Sequence, residues 1–76
     1  MAGWRPVKRR DFIRKLRALG FGGPFSGTRH QFMTFGGYHQ TIPTNSEYSI
    51  PQVRMLVRQV ESLLGRKISP DKWENL

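Results

Sequence analysis

The stretch FSGTRHQF, residues 25–32, holds one of the two histidines in a 76-residue chain that carries thirteen lysines and arginines. Histidine next to arginine suits phosphoester chemistry. An imidazole with its ordinary pKa of about 6.5 is largely neutral near pH 7 and can take a proton. Arginine and lysine can hold a phosphate. RNA supplies its own nucleophile, the 2′-hydroxyl. One placed base and one held phosphate therefore suffice for cleavage to a 2′,3′-cyclic phosphate, and no metal is required in principle. His30 is the candidate base. Spacing alone favours a blander reading, a surface strand histidine with no task.

The other candidates follow from pattern. Arg10, Arg14 and Arg17 recur at i, i+4 and i+7 and form one stripe of a helix, and with Lys8 they are candidates for a phosphate track. A solvated helix face explains the same stripe. Arg29 is adjacent to His30 but points to the opposite face if the strand is regular. It is a candidate for flanking phosphate. Phe32 shares the face of His30, where it can stack on a base or be a half-buried ring. His39 is not a second catalytic histidine. With a hairpin loop at Gly36-Gly37 it lies four residues from His30 along the ladder, ~13 Å at about 3.3 Å per residue.

Composition narrows the partners. Thirteen basic against five acidic residues give a net charge of +8 and a pI near 11.2. Such a field on a small surface favours polyanions, nucleic acid first and an acidic protein second. A membrane surface fits less well, because the basic residues are not confined to one amphipathic segment. No apolar run approaches the ~20 residues of a transmembrane helix. The opening MAGWRPVKRR lacks the apolar segment of a signal peptide. With no cysteine there is neither a disulfide framework nor a thiolate metal site. These features point to the cytoplasm, and no cofactor is expected.

Secondary structure reads in the order α-β-β-β-α. Phe12, Ile13, Leu16 and Leu19 make residues 7–19 an amphipathic helix, and Gly20 closes it. FGGPF is a poor strand, fit for an edge or a bulge. Ser26-Gly27 makes a tight turn. HQFMTF and YHQTIP, joined by Gly36-Gly37, make a hairpin. Met33, Phe35, Tyr38 and Ile42 share its more apolar face and are the expected core. Ser49 and Gln52 form a capping box, with Tyr48 and Val53 as a hydrophobic staple. Val53, Leu56, Val57, Val60 and Leu64 line the helix that follows, which ends at Gly65. Arg54, Arg58 and Glu61 share a solvated face. Ser69-Pro70-Asp71 starts one more helical turn, docked by Trp73 and Leu76. The fold class is α+β. A three-stranded antiparallel sheet carries two helices on one face, with a short C-terminal helical turn, the layout of the double-stranded-RNA-binding fold. The whole chain, 1–76, forms one domain, with an arm over 1–6 and a tail over 66–76.

On these residues the chain resembles the HicA-type toxins, the YcfA-like mRNA interferases of bacterial toxin–antitoxin pairs. The resemblance covers about residues 6–76. The first helix ends Arg17-Ala18-Leu19-Gly20-Phe21, similar to the family's terminal Gly-Phe. Gly27-Thr28-Arg29-His30-Gln31-Phe32 follows the family's order of glycine, small residue, variable residue, catalytic histidine and, two further on, an aromatic or aliphatic residue. Ile42-Pro43 matches the end of the family's hairpin, and Ser49 through Gly65 its closing helix. Arg29 stands where the family often has a first histidine of two, Ser26 where a basic residue commonly precedes the glycine, and Thr44-Asn45 where a histidine often follows. Pro24 interrupts the first strand. The resemblance implies an endoribonuclease toxin of a type II toxin–antitoxin system, acting on mRNA in the bacterial cytoplasm. It also implies His30 as the catalytic histidine and a HicB-type antitoxin covering the active face. A non-catalytic RNA-binding module on the same fold is the alternative, and a basic protein that only binds an acidic partner is a third reading.

Overall fold

The computed structural model describes residues 3–76, so the expected arm over 1–6 is seen from Gly3 onward and its first two residues lie outside the described residues. The chain runs β1 (Val7–Lys8), α1 (Arg9–Ala18), β2 (Gly22–Ser26), β3 (Gln31–Phe35), β4 (Tyr38–Ile42), β5 (Glu47–Tyr48), α2 (Ile50–Leu64) and α3 (Pro70–Glu74). It is an α+β fold. The strands β2, β3 and β4 form an antiparallel sheet in that order, and β1 pairs antiparallel with β5 in a second, two-stranded ladder. That ladder is the main departure from the expected order. The first helix begins at Arg9, not at residue 7, because Val7 and Lys8 are used as a strand against Tyr48 and Glu47.

Local chemistry explains the element ends. Gly20 adopts φ 104°, and the amides of Gly20 and Phe21 donate to the carbonyls of Arg17 and Leu16 at 3.0 Å each. This pair of hydrogen bonds is the Schellman closure, and it turns Phe21 into the core with Leu16, both buried. The edge strand β2 shifts register between Gly22 and Phe25, the bulge expected of FGGPF. Ser49 caps α2 by accepting from the Gln52 amide at 3.4 Å. The Gln52 side chain pairs with the Asn45 amide instead of closing the box. Ser69 caps α3 in the same way, through the Lys72 amide at 3.1 Å.

One apolar cluster joins these pieces. Phe12 and Leu16 from α1, Met33 and Ile42 from the sheet, Tyr48, and Val53, Leu56, Val57 and Val60 from α2 are all buried together. Phe12 is central, its ring 5.4 Å from Tyr48 edge-on and 5.6 Å from Trp73. Burying a ring of this size contributes on the order of 2 kcal/mol. Trp73 and Leu76 dock the tail as expected, and Trp4 of the arm packs against the same cluster.

Two burial expectations are corrected. Tyr38 lies on the core face by register but is 63% exposed, because it sits at the hairpin tip directly after the Gly36-Gly37 turn. Gln40 is buried in its place, and its amide donates to the Gln59 side chain at 2.8 Å. Glu61 is half-buried, and its carboxylate accepts from the Ile68 amide at 2.6 Å.

Lys15 is the buried cation among the described residues. Its ammonium donates to the Trp73 carbonyl at 2.8 Å and lies 5.4 Å from the centre of that ring. It therefore satisfies a carbonyl of α3, near the end of that short helix. Burial lowers its pKa below the ordinary 10.5, and the neighbouring charge of Arg14 adds to the effect. Between the lowered value and 10.5 the unfolded chain holds more protons than the folded one, so the Lys15 contribution to stability rises with pH across that window. Replacing Lys15 with Ala should cost about 1–3 kcal/mol in urea unfolding at neutral pH, through the lost bond to a buried carbonyl. It should also remove the Lys15 share of that alkaline gain, measured by repeating the unfolding at stepped alkaline pH.

Candidate phosphate-binding site

A concavity of about 840 Å³ lies between the β2–β3 turn and the N-terminus of α1. Three segments that are remote in sequence build it. The turn contributes Arg29 and His30, the junction of β1 and α1 contributes Lys8, Arg9 and Arg10, and the loop after β4 contributes Thr44 and Ser46. Glu47 is the one carboxylate among its lining residues, against four cations. The electrostatics thus favour an anion, and the partial positive charge of the α1 N-terminus beside it has the same sign.

The turn is held by its own backbone. Ser26 pairs with Gln31 in the ladder, and the Gly27 amide donates to the His30 carbonyl at 3.1 Å. The strand therefore starts at Gln31, and His30 belongs to the turn, one residue later than the expected HQFMTF strand allowed. The expected opposition of Arg29 and His30 fails for the same reason. Alternation applies only within a regular strand, and here both residues line the concavity.

The far wall is fixed by Arg9, which pattern reading did not single out. Its Nε donates to the Pro43 carbonyl at 3.1 Å, its Nη2 to the Gln31 side-chain oxygen, and its amide to the Ser46 carbonyl at 2.9 Å. The Tyr48 hydroxyl donates to the same Pro43 carbonyl at 2.7 Å. Burial raises the Tyr48 pKa above 10.0, with the Arg9 charge working against it, so the phenol stays a donor. Arg9 sits 22 and 34 residues from its two side-chain partners, so no local signal marks it.

The remaining candidates are divided. Lys8 and Arg10 reach the concavity. Arg14 and Arg17, expected on the same track, do not line it. Arg14 donates to the Leu76 carbonyl at 3.1 Å and lies 3.9 Å from the Asp11 carboxylate. Arg17 donates to the Gly23 carbonyl at 2.9 Å, at the start of β2. Phe32 lies on the outer face of the sheet and stacks on His39, with ring centres 4.4 Å apart. His39 does not line the concavity. Among the described residues no group of three or more His, Cys, Asp or Glu could hold a metal ion, and no helix is long and apolar enough to cross a membrane. The chain matches none of the protein-family models, curated proteins or solved structures with which it was compared.

Two substitutions test how the site is held. Arg9→Lys keeps the charge but cannot span two acceptors with a planar fork. It should cost about 1–3 kcal/mol in denaturant unfolding, while net charge and heparin retention stay unchanged. At Gly27 an added Cβ would stand 2.6 Å from the His30 carbonyl oxygen. Gly27→Ala should therefore force the turn to shift, cost about 1–3 kcal/mol, and move the His30 imidazole resonances in an NMR spectrum more than those of His39.

Proposed function

We propose that this chain is an endoribonuclease acting on mRNA, with His30 as the proton-transfer residue and Arg29, Lys8 and Arg10 as the phosphate grip. The observation that carries the reading is the convergence of His30 with those three cations in one concavity. The imidazole accepts the 2′-hydroxyl proton as the 2′-oxygen bonds to phosphorus. The bond from phosphorus to the 5′-oxygen breaks, that oxygen takes a proton from water, and the imidazolium returns its own proton to solvent. The products are a 2′,3′-cyclic phosphate and a 5′-hydroxyl, and the balance calls for no metal. Arg9 is a positioning residue, since its guanidinium is engaged with Pro43 and Gln31.

The resemblance to HicA-type toxins supports a place in a type II toxin–antitoxin pair in the bacterial cytoplasm. A HicB-type antitoxin would block the basic face. A non-catalytic RNA-binding module would use the same cations without His30.

The test is RNA integrity over time in EDTA, with the purified chain and its His30→Ala variant. Loss of cleavage by about 100-fold or more in the variant is expected for removal of a proton-transfer group, with retained binding of RNA at low salt. Equal RNA loss in both proteins would remove His30 from the mechanism. Binding by both without cleavage by either would leave the binding module.

A further inference from the structure

The sheet has a second face that the helices leave open. Phe25 and Phe32 are register partners on β2 and β3, and their ring centres are 5.7 Å apart. Phe32 in turn stacks on His39 of β4, 4.4 Å away and inclined by 22°. Met33 and Gln40, the neighbours in alternation, are buried on the helix side, so this row of rings faces outward across all three strands. Phe25 is 48% exposed, an unusual place for a phenylalanine with a whole core available to it.

The row is continuous with the concavity. Gly27 of the turn lies against Phe32, where an added Cβ would stand 3.5 Å from the ring. That turn carries Arg29 and His30. At the other end of β2, Arg17 is held on the Gly23 carbonyl, and Gly23 lies against the Phe25 ring. Cations therefore stand at both ends of the strand that presents Phe25. Aromatic faces flanked by cations fit a nucleic-acid strand with unpaired bases, whose π-faces are free to stack while its phosphates meet the charge. A duplex offers no such faces. We infer that Phe25 and His39, the exposed ends of a row braced on Phe32, form a stacking platform for the unpaired bases of single-stranded RNA, leading the strand to His30. The inference rests on the RNA reading above and gives Arg17 a role outside the concavity.

Binding is the readout, which separates this inference from catalysis. Three probes are titrated at fixed salt: a short single-stranded oligoribonucleotide, the same strand annealed to its complement, and an abasic strand of equal length. All proteins carry His30→Ala so that the strand stays intact. The single strand should bind more tightly than either control. Phe25→Leu should lower single-strand affinity roughly 5- to 100-fold, the range for loss of one base stack, while Phe25→Tyr keeps it. Neither should alter the slope of log affinity against log salt, because no phosphate contact is lost. Phe25 is half exposed, and equal melting temperatures for the Leu and Tyr variants check that the fold is retained. Equal affinity for the three probes, with no effect of Phe25→Leu, overturns the platform even where His30-dependent cleavage is found. Single-strand preference that depends on Phe25, in a wild-type chain that cleaves nothing, keeps the platform and overturns the catalytic reading. Failure of every protein to bind RNA at low salt overturns both.

Discussion

The guanidinium of Arg9 is the tie on which the rest of this structure depends. It joins the first helix to the Pro43 carbonyl at the end of the hairpin and to Gln31 at the start of the central strand. The Arg9 amide adds the Ser46 carbonyl, and Tyr48 shares Pro43. One residue thus sets the distance between the helix N-terminus, the β2–β3 turn and the loop after β4. Those are the three walls of the basic concavity. A planar fork with fixed donors does this with little conformational freedom left to lose, which a lysine cannot match.

The tie also limits how charge can be spent on so small a body. A chain of this size buries only about 60% of its unfolded surface, so its core has few residues to spare. Here buried or half-buried polar groups work as connectors. Lys15 satisfies the Trp73 carbonyl of α3, Gln40 meets Gln59, and Glu61 holds Ile68. Four of the remaining cations stand at the two candidate RNA surfaces, while Arg58, Arg66 and Lys67 lie together at the end of α2. Lys8, Arg10 and Arg29 surround His30, while Arg17 flanks the aromatic row. The two helices cover one side of the sheet and leave the other to Phe25, Phe32 and His39.

Much of the fold was legible because its signals are local. The Gly20 closure, the Ser49 and Ser69 caps, and the Gly36-Gly37 hairpin each involve residues within a few positions of one another. The apolar spacing from Val53 to Val60 identifies its helix for the same reason. What escaped was non-local. Val7 and Lys8 have helical neighbours and become strand only because Glu47 and Tyr48 lie opposite. Tyr38 has the right alternation for the core, but alternation says nothing of where a covering helix stops. The start of β3 is the exception, since a local bond from the Gly27 amide to the His30 carbonyl keeps His30 in the turn.

The sequence by itself determined the order of the helices and of the three-stranded sheet, the glycine closures and serine caps of the helices, the strongly basic charge and the candidacy of His30, since each follows from composition or from contacts a few residues apart. Only the tertiary structure decided which cations stand beside that histidine. Arg10, Arg14 and Arg17 are equivalent by spacing, yet Arg10 lines the concavity, Arg14 holds the tail and Arg17 holds the edge strand. Helical periodicity assigns a residue to a stripe, but what a long side chain meets there depends on segments that arrive from elsewhere in the chain.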